Sequence, residues 1–164
     1  MIRAESWILI ERPLAVVFRF VAVEFFENYP KWSPEIVSLQ KTMPGPIAEG
    51  VTAVQVRRDF GYRTTARFRV TRFEVDRSLV FEALTRPWFR VTYQFEPVAK
   101  ATRLTFQFEL APEPMMLPFR RLIVRAVQSS ADAVVRRLQP LLESQGGATI
   151  REPGSARPEQ SPID

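Results

Sequence analysis

The chain has 164 residues, the length of one ordinary domain, and 46% of them are hydrophobic and 12% aromatic, with 13 Phe, which excludes a wholly disordered or fibrous chain. It contains no Cys and no His, which excludes disulfides, Cys/His metal or haem sites, cysteine nucleophiles and Ser-His-Asp catalysis, and removes the side chain best suited to proton transfer near neutral pH. The net charge of +5 rests on 23 Lys and Arg, of which only Lys31, Lys41 and Lys100 are lysines, so the basicity is almost entirely arginine.

Residues 6–11 read as a short, largely apolar strand. Its apolar run from Trp7 to Ile10 ends at Glu11 and Arg12 and is too short for an export signal or a membrane span. No stretch of 18 apolar residues occurs elsewhere, so a soluble, cytoplasmic protein is expected. Pro13 suits a first helical turn, where its missing N–H has no partner. Leu14, Val17, Phe18 and Val21 follow at helical spacing, which predicts a short helix over 13–23. Phe25, Phe26, Tyr29 and Trp32 continue as an aromatic helical stripe, broken near Pro30 and Pro34. Residues 36–41 read as strand, and Met43-Pro44-Gly45-Pro46 is a turn cluster.

After Gly50 the period drops to two. Thr52, Val54 and Val56 alternate with Ala53, Gln55 and Arg57, and Asp59-Phe60-Gly61 closes a hairpin. The alternation assigns Thr52, Val54, Val56 and Arg58 to the inner face. Tyr62, Thr64, Ala66, Phe68 and Val70 share one face of the next strand, and Arg63, Thr65, Arg67, Arg69 and Thr71 the other, with Arg57 beside those arginines. Leu79, Phe81 and Ala83, then Phe89, Val91, Tyr93 and Phe95, then Leu104, Phe106, Phe108 and Leu110 repeat the pattern. One buried and one wet face is the signature of an antiparallel sheet. From 115 to 143 the period becomes helical, with Phe119, Ile123, Val127, Ala131, Val134, Leu138 and Leu141 on one stripe and Pro140 expected to bend or fray the last turn. The expected body is a single domain over 1–144; 145–164, rich in Gly, Pro, Ser and charge, reads as a disordered tail.

Ile8-Leu9-Ile10-Glu11-Arg12-Pro13 leading to Val17-Phe18-Arg19-Phe20-Val21, the run Tyr29-Pro30-Lys31-Trp32-Ser33-Pro34, Pro44-Gly45-Pro46 with Glu49-Gly50-Val51-Thr52, and Thr102-Arg103-Leu104-Thr105 occur in that order. This text resembles the START-like, Bet v1-like (SRPBCC) superfamily of polyketide cyclase/dehydrase-type proteins. The resemblance implies an α+β helix-grip fold: a curved antiparallel sheet of about seven strands wrapped around a long C-terminal helix, with two short helices after the first strand. It also implies an apolar cavity for lipids, polyketides or quinone-like molecules. One departure is that Val98-Ala99-Lys100-Ala101 has no Gly before the Thr-Arg-Leu, so this hairpin must turn differently.

A cavity in this chain would be lined by Trp32, Val56, Phe68, Phe81, Tyr93, Phe106 and Phe108, which otherwise simply fill the core. Trp32 and Tyr93 carry polar handles that could orient a ligand. Arg58, in phase with Val56, either meets a ligand carboxylate or carbonyl, or pairs with Asp59 or Glu74, or reaches solvent. Arg86 and Trp88 flank Pro87 in a loop over the mouth. The expected function is binding of a small hydrophobic ligand without metal or cofactor. A metal-independent cyclase or dehydratase, using Thr64, Thr65, Tyr93 and a water, is one alternative; a membrane-associated lipid or quinone transfer module is another. Arginines spread over both the sheet and the long helix disfavour a nucleic-acid partner and leave peripheral contact with an anionic membrane as the second option to a solvated surface. Oligomeric state stays open, a homodimer included.

Overall fold

The computed structural model describes residues 1–59 and 61–145; the tail expected over 145–164 lies, beyond Gln145, outside the described residues. Seven strands, β1 (Ile2–Ile10), β2 (Ile36–Lys41), β3 (Thr52–Asp59), β4 (Tyr62–Glu74), β5 (Ser78–Ala83), β6 (Phe89–Val98) and β7 (Ala101–Leu110), form one antiparallel sheet in the order β1-β7-β6-β5-β4-β3-β2. Between β1 and β2 lie α1 (Leu14–Phe18), a π-helical turn over Arg19–Val23, and α2 (Phe25–Trp32); after β7 a 3-10 turn (Pro114–Phe119) leads into α3 (Arg120–Ser144). This is the helix-grip arrangement.

β1 begins four residues earlier than the apolar run predicts, because Ile2 and Ala4 carry the inward alternation back through exposed Arg3 and Glu5. The stretch from α1 into the π-helical turn buries Phe20, Val21 and Ala22 in succession. α2 runs through Pro30 to Trp32 instead of breaking there; the proline removes one N–H donor, and Ser33 N–H still closes on the Tyr29 carbonyl.

β3 departs from its own hydropathy. Ala53 and Gln55 are buried, Arg57 is half-buried, and Arg58 is exposed, so the inner face holds Ala53, Gln55 and Arg57. The reason is the ladder: Ala53 pairs with Phe68, Gln55 with Ala66 and Arg57 with Thr64, and directly opposed residues share a face. Phe68, with Val70 two residues on, must be inside, so β3 follows it.

α3 spans about 37 Å at 1.5 Å per residue. It lies along the open edge of β1, where Gln128 Nε2 donates to the Glu5 carbonyl (2.9 Å), Gln139 Nε2 to the Leu9 carbonyl (3.4 Å), and Glu143 accepts from Glu11 N–H (3.1 Å). The helix thereby occupies backbone groups that would otherwise invite another strand. Its buried residues are Ala131, Val134, Val135, Leu138 and Leu142. The expected stripe holds here at Ala131, Val134 and Leu138, Leu142 is buried where Leu141 was expected, and the helix runs through Pro140 to Ser144. In the first half Ile123 and Val127 are only half-buried, and Phe119 is exposed, because the interior ends before the stripe does.

The hairpin between β6 and β7 pairs Val98 with Ala101 and puts Ala99 at φ 52°, the left-handed region that costs a residue with a Cβ roughly 1–2 kcal/mol. Ala99→Gly is therefore expected to raise unfolding free energy by about 0.5–1 kcal/mol after glycine's extra backbone entropy is offset. Urea titration of the two proteins checks this; an unchanged or lower midpoint contradicts it.

Candidate functional site

α2 lays Phe25, Tyr29 and Trp32 over the inner face of the sheet, as its aromatic period requires. Phe25 stacks on Tyr29 with centroids 4.6 Å apart and meets Phe81 at 5.3 Å; Phe68 meets Phe81 at 4.7 Å, and Tyr93 meets Phe106 at 5.2 Å. These are ring-contact distances. Phe26 stacks on Phe68, and Phe89 on Phe108, at the margin of the cluster, where Phe26, Phe89 and Phe108 are half-buried.

Polar groups are set into this apolar interior at few points. Trp32 Nε1 donates to the Tyr93 hydroxyl at 3.1 Å, both side chains being wholly buried. Arg57 reaches both carboxylate oxygens of Asp59 through Nε (3.2 Å) and Nη2 (3.3 Å). Glu35, in the turn just before β2, accepts from Arg137 Nη1 of α3 (3.3 Å) and from Ser33 Oγ (3.3 Å), and Arg137 also donates to the Trp32 carbonyl (3.4 Å). Gln55, 3% exposed, keeps its Oε1 buried with no hydrogen-bond partner among the described residues.

The electrostatics tie the group together. Burial pushes the Tyr29 phenol above its ordinary value, while its neighbours Arg57 and Ser33 pull it back. Burial pushes the Tyr93 phenol well above its ordinary value, Tyr29 adds to this, and the hydrogen bond from Trp32 opposes it. Burial lowers Arg57, but Tyr29, Asp59 and Glu35 outweigh it and hold the guanidinium above its usual value. At neutral pH the interior thus presents two protonated phenols and one permanent cation. Such a set can give hydrogen bonds to a ligand oxygen and stabilise negative charge on it. Among the described residues no three acidic side chains gather so as to hold a metal ion.

Of the residues predicted to line a ligand site, Trp32, Phe68, Phe81, Tyr93, Phe106 and Phe108 share the inner side of the sheet. Val56 and Arg58 do not: they lie on the outer face opposite Thr65 and Arg63. The inward arginine is Arg57, expected among the outer arginines, and Asp59 pairs with it and not with Arg58. Glu74 pairs with Arg72. Thr64 is on the inner face but exposed at the end of β4, and Thr65 is on the outer face, so neither joins Tyr93. Trp88 lies beneath the Arg90 guanidinium, 5.3 Å away, and its carbonyl accepts from Ala111 N–H, while Arg86 is exposed. Tyr29, Gln55 and Arg57 join the candidate site in the structure and are not among the residues the sequence singles out for it. Tyr29 stood in the aromatic stripe of α2, and the other two needed the pairing across β3 and β4.

A family profile described as polyketide cyclase / dehydrase and lipid transport matches residues 1–143. The fold is similar to the Zhui aromatase/cyclase from a Streptomyces species (13% identity, TM-score 0.71, covering 90% of this chain and 97% of that one). It is also similar to StfQ, a di-domain aromatase/cyclase of the steffimycin biosynthetic pathway (12% identity, TM-score 0.72, 90% of this chain and 52% of that one), so this chain spans about half of StfQ. A Thermus thermophilus protein is similar as well (14% identity, TM-score 0.69, 87% of this chain and 98% of that one). No curated protein matches the sequence.

The raised phenols have a consequence at high pH. A group whose pKa is higher folded than unfolded contributes stability in full below its unfolded value, about 10 for tyrosine, and that contribution is lost as pH rises through the folded value. Stability is expected to fall from about pH 10 upward, less steeply in Tyr93→Phe, which has no phenolic proton. At neutral pH the same variant is less stable by about 1–3 kcal/mol, because Trp32 Nε1 loses its acceptor. Urea midpoints of both proteins across this pH range measure the two effects, and parallel curves contradict the assignment.

Proposed function

Because the chain belongs to the polyketide cyclase / dehydrase and lipid transport family, we propose that it binds a small, largely aromatic molecule on the inner side of its sheet and recognises an oxygen of that molecule through Arg57. The observation that carries this reading is the inward Arg57 guanidinium at the end of an aromatic interior, beside Tyr29, with the buried Gln55 Oε1, which has no partner among the described residues, two residues along the same face. A cation there serves a carboxylate, phenolate or polarised carbonyl, and the glutamine oxygen serves a hydroxyl or N–H. The rings supply area and shape, and the few polar groups supply orientation. Phe26, Phe89 and Phe108, half-buried at the margin of the cluster, are the rings a ligand meets first.

A second reading, a metal-independent cyclase or dehydratase, is favoured by Tyr93. Its hydroxyl accepts from Trp32 and can still donate its own proton, which would steady charge on a carbonyl oxygen during aldol-type ring closure. Loss of water from a poly-β-ketone analogue incubated with the protein, followed by mass spectrometry, separates this reading from binding alone.

Native mass spectrometry of the purified protein, with organic extraction, is expected to show a co-purifying hydrophobic molecule. Titration with a dihydroxyanthraquinone is expected to give saturable binding that Arg57→Met weakens by about tenfold or more, the size of a lost charge-assisted hydrogen bond. Arg58→Met, on the outer face, is expected to bind within about twofold of the parent protein, since a solvent-facing change away from the site is close to neutral. Absence of both a co-purifying molecule and dye binding, or equal losses in the two variants, overturns the proposal.

A further inference from the structure

The segment from Met115 to Arg125 carries large apolar side chains that the core does not cover. Met115 is 82% exposed, Leu117 52%, Phe119 59% and Leu122 64%. α3 has no fully buried residue before Ala131. Leu122 precedes Ala131 by nine positions, about half a turn round the helix at 100° per residue, so it faces away from the protein. Interleaved with these residues are Arg120, Arg121 and Arg125, all exposed and none in an ion pair among the described residues. At the start of the 3-10 turn Glu113 engages Met116 through its backbone, its carbonyl accepting from Met116 N–H (2.8 Å) and its N–H facing Met116 Sδ (3.4 Å), and its carboxylate pairs with none of these arginines among the described residues; the next acid along the helix, Asp132, accepts from Gln128. The neighbouring loop between β5 and β6, joined through Ala111 N–H to the Trp88 carbonyl (2.9 Å), adds exposed Leu84 and Arg86.

We propose that this end of the molecule docks on a bilayer carrying anionic lipids, with Leu117, Phe119 and Leu122 entering the interface and Arg120, Arg121 and Arg125 meeting the headgroups. At 100° per residue Leu122 lies about 60° from Phe119 on one side and from Arg125 on the other, so an apolar pair is flanked by guanidinium groups. They fit a fluid interface that closes around them, where apolar area and attraction to anionic lipid add. The proposal stands on this surface alone and does not depend on what the interior binds.

Sedimentation with phosphatidylcholine vesicles, with and without roughly one-third phosphatidylserine, tests it at low and high salt. Binding is expected only to the anionic vesicles and is expected to drop steeply with salt. Arg120→Gln with Arg121→Gln is expected to lower partitioning about thirtyfold, at roughly fivefold per arginine. Phe119→Ser with Leu122→Ser is expected to lower it comparably while the melting temperature holds, since these side chains are exposed in the free protein. No binding, equal binding to both vesicle types, or variants that bind like the parent overturns the proposal. So does self-association in sedimentation velocity that Phe119→Ser with Leu122→Ser abolishes, which would assign the surface to a second copy of this chain.

Discussion

Opposed residues in an antiparallel ladder share a face, and the pairing of Ala53 with Phe68 applies that rule where it matters most in this fold. Phe68 meets Phe25, Phe26 and Phe81, so it cannot turn outward without emptying the centre of the molecule. Once it is inside, Gln55, Arg57 and Asp59 follow at every second residue. Arg58 is left on the outer face opposite Arg63, an arrangement of like charges that only a solvated surface tolerates.

That register gives the interior its chemistry. A guanidinium brought beneath an aromatic layer needs compensation, and Asp59 supplies it directly while Glu35 contributes through space. Glu35 is in turn held by Arg137, which connects α3 to the junction of α2 and β2. The two phenols remain protonated because burial penalises their charged forms. Shape, apolar contact, one arginine and hydrogen-bond donors are what remains to a chain without Cys or His, and these meet on one side of the sheet. Half of α3 closes that side, while the other half projects past the interior with apolar and basic residues uncovered.

The parts of this fold that were legible in the sequence are those where hydropathy and pairing agree. β4, β6 and β7 alternate strongly, and Phe68, Tyr93 and Phe106 lie inside as their pattern implies. Hydropathy assigns β3 the wrong inner face because Thr52, Val54 and Val56 are more apolar than Ala53, Gln55 and Arg57, although the latter set faces the core. The correcting signal was present in the turn: with Asp59 opposite Tyr62, each step back along β3 is a step forward along β4, which brings Ala53 to Phe68. Val54 and Val56 remain half-buried on the outer face among residues of the adjoining strands. The α3 stripe was read correctly as a period and incorrectly as an extent, because periodicity carries no information on where the sheet beneath a helix stops. The π-helical turn and the helix through Pro30 depend on tertiary packing that overrides local preference.

The account turns on Arg57 being the arginine that faces the ligand. Side-chain Nε–H resonances of selectively labelled arginine, assigned with Arg57→Met and Arg58→Met, report this directly. The Arg57 Nε–H, bonded to Asp59 and half-buried, is expected to exchange slowly and to shift when a dihydroxyanthraquinone is added, while that of exposed Arg58 exchanges fast and stays put. A ligand-dependent shift at Arg58 with none at Arg57 would contradict it.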